Sequence, residues 1–143
     1  MAISSAICNS FKQELLVGTH NFTASSGNAF KIALYTSSAS LGASTTAYST
    51  SNEISNTSGS AYTAGGATLT SVTPVLDSST AVCDFADVSF TSASFTANGC
   101  LIYNDTQSDK AVAVIAFGGD KTVSSGTFTI QFPTADASNA IIR

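Results

Sequence analysis

The chain of 143 residues is long enough for one domain with a substantial core, and its 43% hydrophobic content argues against disorder. Charged residues make up only 10%, the formal net charge is −4, and the five cations are dispersed, which argues against nucleic acid as a partner. Serine and threonine fill 43 positions, whereas there is one histidine and no tryptophan. Because groups for proton transfer, nucleophilic attack and metal binding are scarce, we expect a binding protein, with no catalytic residue, metal or cofactor.

The first predicted element is a helix over residues 3–18. Its apolar stripe has a spacing of four residues and consists of Ile3, Ile7, Phe11 and Leu15. Gly18 stands where a glycine commonly ends a helix. A helix this short is marginal alone, so we expect the stripe to dock either on the domain's own sheet or on a neighbouring subunit.

The hydrophobic period changes after the predicted helix. Residues 30–35 alternate as a half-buried strand does. Residues 36–66 then form a long loop region rich in Ser, Thr, Gly and Asn, with Tyr48, Ile54 and Tyr62 as its scattered large side chains. Long irregular segments in compact domains are usually functional or mobile. The region is therefore interpreted either as a mobile surface excursion or as a loop that becomes ordered against a partner.

Residues 67–143 predict a body rich in β-strands. Its strand-like segments are 67–76, 80–90, 94–104, 110–118 and 126–132, and residues 139–143 can add one more strand. Turn signals separate these segments at 77–79, 98–99, 104–109, 118–120 and 124–126. The pair Asn98-Gly99 is compatible with either a tight hairpin turn or a bulge.

Two of these segments also predict how the strands are covered. Residues 111–117 are apolar on both sides, which is typical of a central strand covered on both faces. Residues 127–132 alternate cleanly between polar and apolar side chains, so one face of that strand must meet water.

Together the elements predict a mainly β fold in a single domain over residues 1–143. We expect an antiparallel β-sandwich or a jelly-roll-like barrel with one short N-terminal α-helix. The three cysteines, Cys8, Cys83 and Cys100, have no framework spacing, which favours buried free thiols over a disulfide.

The few reactive side chains do not form a known catalytic or metal motif. His20 is far in sequence from every carboxylate except Glu14, so it is interpreted as a surface or capping residue. The aspartates of the β-rich body lack the density of a calcium loop and are interpreted as turn-capping residues. A hydrolase of cell-wall glycans would need paired carboxylates at a suitable separation, for which Asp84 and Asp87 are a candidate pair, and this hypothesis is disfavoured.

Several stretches resemble small virion proteins of tailed bacteriophages. They are SAICNSFKQELLVGTHNF, FKIALYTSSASLGASTTAYS, YTAGG, VCDFADVSFTSASFTANGCLIYN and KAVAVIAFGGDKTVSSGTFTIQFPTADASNAIIR. The resemblance covers nearly the whole chain. It implies a phage structural protein, and no catalytic motif comes with it.

From this resemblance we expect a capsid decoration, or cement, protein that stabilises the head through non-covalent contacts. Its partners would be the major capsid protein or other virion proteins, with a homo-oligomer such as a trimer as the working form. The alternative is a neck, tail or fibre component with a host-surface or glycan-binding role. Candidate interaction residues are those of the helical stripe and of the loop: Ile3, Ile7, Phe11, Leu15, Tyr48, Ile54 and Tyr62.

The expected location is the virion, after synthesis in the host cytoplasm. The first residues lack the charged and continuous apolar regions of a signal peptide. No apolar run approaches the length that spans a bilayer, so no membrane partner is expected.

Overall fold

The computed structural model describes residues 2–55 and 59–143, which form one α-helix and seven strands. In chain order these are β1 (Ala6–Ile7), α1 (Asn9–Leu16), β2 (Phe30–Tyr35), β3 (Ala67–Thr68), β4 (Ser71–Asp77), β5 (Thr80–Phe85), β6 (Val88–Asn104) and β7 (Lys110–Ile130). Within these ranges α1, at eight residues, is far too short to serve as a membrane-spanning helix.

The strands form two antiparallel sheets that confirm the predicted mainly β, sandwich-like fold. The larger sheet has the order β1-β7-β6-β2-β3, and β4 pairs with β5 as a separate hairpin. Phe85 of the hairpin packs against Phe22 and against Phe30 of β2, with ring centroids 6.2 and 5.8 Å apart. The larger sheet keeps β1 and β3 as edges, so the described strands do not close into the alternative barrel.

The N-terminal helix is shorter than the predicted range of residues 3–18. Residues before α1 are extended: Ile3 forms an isolated bridge with Leu41, and β1 pairs with Val114 and Ala113 of β7. The prediction was wrong because a spacing of four residues has two meanings. It places side chains on one face of a helix, but any even spacing also places them on one face of a strand.

Several predicted turns lie inside the long strands β6 and β7. These strands form one hairpin closed by the predicted loop at residues 105–109. The turn signals at 118–120 and 124–126 lie inside the two strands, where the pairing register shifts, and Asn98-Gly99 also lies at a register shift, which fits the bulge among its two predicted alternatives. The glycines at 118 and 119 adopt positive φ values of 76° and 144°, so they supply bulges and bends rather than chain reversals.

The core lies where β6 and β7 pair with their neighbours. Residues 111–114 of β7 are buried, as predicted for a strand covered on both faces, whereas residues 115–117 are half-buried. In residues 127–132 exposed polar side chains alternate with partly buried apolar ones, which confirms the predicted wet face. The C-terminal segment adds only an isolated bridge between Ile142 and Cys83.

Gly66 provides a test of how tightly the loop region meets the sheet. A Cβ at Gly66, where φ is +80°, would lie 1.8 Å from the Ile32 carbonyl oxygen, whereas a Cβ at Gly118, where φ is +76°, would meet nothing within 4 Å. Both substitutions to alanine carry the left-handed penalty of about 1–2 kcal/mol. We expect Gly66→Ala to lower the free energy of unfolding by about 2 kcal/mol more than Gly118→Ala, measured by urea denaturation. Equal losses would contradict this close approach.

Candidate functional site

The seven candidate interaction residues do not form a common surface. Ile3, Phe11, Ile54 and Tyr62 are buried in the hydrophobic core of the chain itself. These four residues are therefore not available to a partner as predicted, because their side chains are already covered by the sheet and its loops.

The other three candidates remain partly accessible. Ile7 and Tyr48 are half-buried against the core, and Leu15 is 41% exposed. Of the seven candidates, only Leu15 belongs to an exposed apolar patch, which it forms with Leu16 and Val17 at the end of α1.

The carboxylate of Glu53 cross-links the loop region 36–66 from within. Its Oε1 accepts hydrogen bonds from the Tyr62 hydroxyl at 2.6 Å and from the Gly65 N–H at 2.7 Å. Its Oε2 accepts a third from the Tyr48 hydroxyl at 2.7 Å. Charge-assisted bonds of this kind are stronger than neutral ones, so one side chain ties three points of the loop region together.

The other two tyrosines lie on the sheet and bind the loop region to it. Tyr35 of β2 donates its hydroxyl to the Ser49 carbonyl at 2.7 Å, and Tyr103 of β6 donates to the Gly65 carbonyl at 2.7 Å. The Tyr48 ring stacks on that of Tyr103 with centroids 4.7 Å apart. The described part of the loop region is therefore packed on its own sheet. Residues 56–58 of the predicted loop lie outside the described residues.

A sequence signal for this anchor was available. Glu53 is the only carboxylate between Glu14 and Asp77, and it lies between Tyr48 and Tyr62 in a stretch of neutral residues. An isolated acid among hydroxyl donors is a natural hydrogen-bond hub, because an ionised carboxylate offers several acceptor positions and no donor.

His20 belongs to a second buried polar cluster and is not the predicted surface or capping residue. Its Nε2 lies 3.0 Å from Glu14 Oε1 on α1, and Glu14 Oε2 lies 3.2 Å from Lys110 Nζ at the start of β7. The imidazole packs against the Phe11 ring with centroids 4.8 Å apart. Because Lys110 is ninety residues from His20 in sequence, only the fold brings them together.

The other nitrogen of His20 faces an amide. Its Nδ1 lies 2.9 Å from Asn104 Nδ2, which also donates to Asn28 Oδ1 at 3.0 Å. Asn104 Oδ1 accepts the Gln107 N–H at 3.2 Å, which fixes the orientation of the amide. His20 Nδ1 is therefore an acceptor and Nε2 the donor toward Glu14. With every polar group satisfied, the cluster joins α1 to the β6–β7 loop.

The three thiols are free, as the sequence predicted. Cys8 and Cys100 are buried and Cys83 is half-buried. Burial raises the pKa of Cys8 and of Cys83 to about 11 and that of Cys100 to about 12. Because the thiolate is the nucleophile and the metal ligand, these groups remain largely unreactive near neutral pH.

An open groove of about 820 Å³ lies along β7. We call it the β7 groove. Its lining comes from β1, β7 and the C-terminal segment: Ser5, Ala6, Ile7, Ala113, Val114, Ile115, Phe117, Lys121, Phe128, Thr129, Ile130, Gln131, Phe132, Pro133 and Ile141. Most of these side chains are apolar, and Lys121 is the only charged one.

The β7 groove exposes the edge of a strand as well as side chains. Residues 128–131 line it in succession, although neighbouring side chains of a strand point to opposite faces, so the groove runs along the strand edge. The pairing of β1 with β7 stops at Val114, after which Ser5 Oγ accepts the Ala116 N–H at 2.9 Å. Within residues 2–55 and 59–143, no backbone hydrogen bond joins residues 117–130 to any strand except β6.

Comparisons of the chain with protein-family models, with curated proteins and with solved structures found no match. In the described part of the chain, no group of three or more His, Cys, Asp or Glu side chains is arranged to hold a metal ion. Of the surfaces described, the β7 groove has the form of a binding site.

The anchoring role of Glu53 predicts a large effect of a small substitution. Glu53→Gln replaces one acceptor oxygen by an NH₂ group that faces hydrogen-bond donors, and it removes the charge from the other bonds. We expect a loss of about 2–4 kcal/mol in the free energy of unfolding by urea denaturation. Asp120→Asn, at an exposed carboxylate that accepts a hydrogen bond from Asn98 Nδ2, is the control and should change stability by less than about 0.5 kcal/mol. Equal effects would remove Glu53 as the anchor.

The tyrosines predict a loss of stability at alkaline pH. Burial and the hydrogen bond to Glu53 raise the pKa of Tyr48 and Tyr62, and burial raises the pKa of Tyr35 and Tyr103. A group with a raised folded pKa stabilises the fold fully below its unfolded pKa, about 10 for tyrosine, and this stabilisation is lost as the pH rises toward the folded value.

We therefore expect the free energy of unfolding to fall progressively above about pH 10. Ionisation of the buried cysteine thiols also lowers the free energy of unfolding, and it begins at a lower pH. The deciding measurement is therefore tyrosinate absorbance, which reports the ionisation of tyrosine alone. It should rise only as the chain unfolds. Tyrosinate formation at the same pH in the folded and the urea-unfolded chain would contradict the buried hydroxyl network.

Proposed function

We propose that this chain is a structural protein of a tailed-phage particle. It acts as a capsid decoration, or cement, protein and stabilises the head through non-covalent contacts. The setting comes from the resemblance of nearly the whole sequence to small virion proteins of such phages. The surface geometry supports the binding role.

The observation that carries the proposal is the β7 groove at an unpaired strand edge. Soluble monomers rarely leave a large apolar surface open, and they usually block free strand edges. Here apolar side chains such as Phe117, Phe128 and Ile130 line the groove next to backbone groups of β7 that pair only with β6. Such a surface suits a subunit that is completed by a neighbouring protein.

The anchored loop region supports the same role. Its exposed side chains include Ser37, Ser38, Ser40 and Ser44, which offer neutral donors and acceptors to a protein shell. Because Glu53 already holds the described loop in place, binding does not need to order it first. Preorganisation of this kind increases affinity by reducing the entropy lost on association.

The low charge of the chain is suited to repeated contacts. Salt screens interactions between exposed charges, whereas apolar and neutral hydrogen-bonded contacts depend on it much less. A decoration protein present in many copies can combine modest contacts of this type through a symmetric oligomer, since linked sites bind with much higher overall avidity.

Copy number on the particle tests the proposal. We expect cryo-electron microscopy of the parent phage to show the chain on the outside of the head in hundreds of copies. Particles stripped of it should lose thermal stability and regain it when the purified folded chain is added. The same amount of unfolded chain is the control.

A different location would overturn the decoration role. Density for about a dozen copies or fewer, confined to the neck, tail or fibres, would support the alternative of a host-surface or glycan-binding component. Absence from the particle would reject both.

A further inference from the structure

A second exposed apolar surface lies on β4. Val72, Val75 and Leu76 are 45%, 57% and 72% exposed, which is unusual for three large apolar side chains on one short strand. No residue of β4 or β5 lines the β7 groove. The chain therefore carries one projecting apolar strand and one receiving apolar groove at separate places.

Both surfaces also have unpaired backbone. Among the described residues, β4 forms ladder hydrogen bonds with β5 alone, and residues 117–130 of β7 form them with β6 alone. Strand addition joins two such edges through main-chain hydrogen bonds, while alternate side chains fill the adjoining pockets. Pro74 removes one donor from β4, so the contact would depend strongly on its apolar side chains.

The charges of the two surfaces are complementary. Residues 71–85, which comprise the β4–β5 hairpin, contain Asp77 and Asp84 and no Lys or Arg. The β7 groove contains Lys121 and no carboxylate, and Lys121 takes part in no ion pair within the described residues. An acidic hairpin with an apolar strand thus matches an apolar groove with one free cation.

We propose that the β7 groove binds β4 of a second copy of this chain. Val72 and Val75, which pair with Asp84 and Val82 and so share one face of the hairpin, fill the groove of the next copy, and the hairpin carboxylates approach its Lys121. This inference rests on the proposed function, because it names the neighbour that completes the surface of an assembly subunit. The contact joins two different surfaces, so it is heterologous and builds a ring, such as a trimer, when the rotation closes.

Two complementary variants test this contact in solution. Val75→Asp with Leu76→Asp places charges on the exposed strand, and Lys121→Glu with Ile130→Asp places them in the groove. We expect the wild-type chain to form a closed oligomer in sedimentation velocity, and each variant alone to be monomeric. Ser37→Asp with Ser38→Asp adds two charges on the loop region and should leave the oligomer intact.

Mixing the two variants gives the deciding result. The groove of the first variant and the β4 strand of the second are both intact, so one good contact can form and the mixture should contain dimers but no larger ring. A mixture that stays monomeric would overturn the proposal, because one intact β4 strand and one intact groove would then fail to bind each other. So would a wild-type chain that is monomeric, or variants that assemble as the wild type does.

The half-buried position of Ile130 requires a second groove variant. Circular dichroism checks the fold of each variant, and Lys121→Glu alone, at an exposed position, should weaken assembly about tenfold. Unchanged assembly with Lys121→Glu would overturn the charge complementarity. A monomeric wild-type chain that still covers the phage head would reject the second-copy contact alone, whereas an oligomer absent from the head would reject the decoration role alone.

Discussion

The structure depends on one half-buried acceptor, the Glu53 carboxylate, which is surrounded by hydrogen-bond donors of the loop region. The chain contains little charge, so its long loop region cannot be fixed by ion pairs, and its serines and threonines bind water as readily as protein. The Glu53 carboxylate accepts hydrogen bonds from two tyrosine hydroxyls and a backbone N–H. These bonds are directional, whereas apolar packing is not, so they fix the conformation of the loop region. A hydroxyl-rich loop can therefore keep one shape and present its exposed side chains at fixed positions.

The fold class followed from sequence because alternation and turn residues are local signals. Strand β2, the β4–β5 turn and the loop at 105–109 occur where composition predicted them. The signals failed where one pattern fits two structures. The spacing of Ile3 and Ile7 fits a helix and a strand, and a Gly pair such as Gly118-Gly119 fits a turn and a bulge. Only the pairing partner decides between them.

The candidate site was less predictable because its parts are distant in sequence. The aromatic residues of the loop region attracted attention as contact residues, but Ile54 and Tyr62 are buried against the chain's own sheet. The β7 groove could not be foreseen, since it arises where β1 stops pairing and the bulged β7 continues with β6 on its other side. His20 was misassigned for the same reason, because its partner Asn104 in β6 and Lys110 of β7, which binds Glu14, come from a distant part of the sequence.

The pairing of β1 with β7 has a consequence for synthesis on the ribosome. Ala6 and Ile7 leave the ribosome more than a hundred residues before their partners Val114 and Ala113. Until then Phe11 and its apolar neighbours have no sheet to cover them. Unpaired strand edges and exposed apolar side chains make such intermediates prone to aggregation. Synthesis at high concentration would therefore benefit from a chaperone that shields the N-terminal segment until β7 is complete.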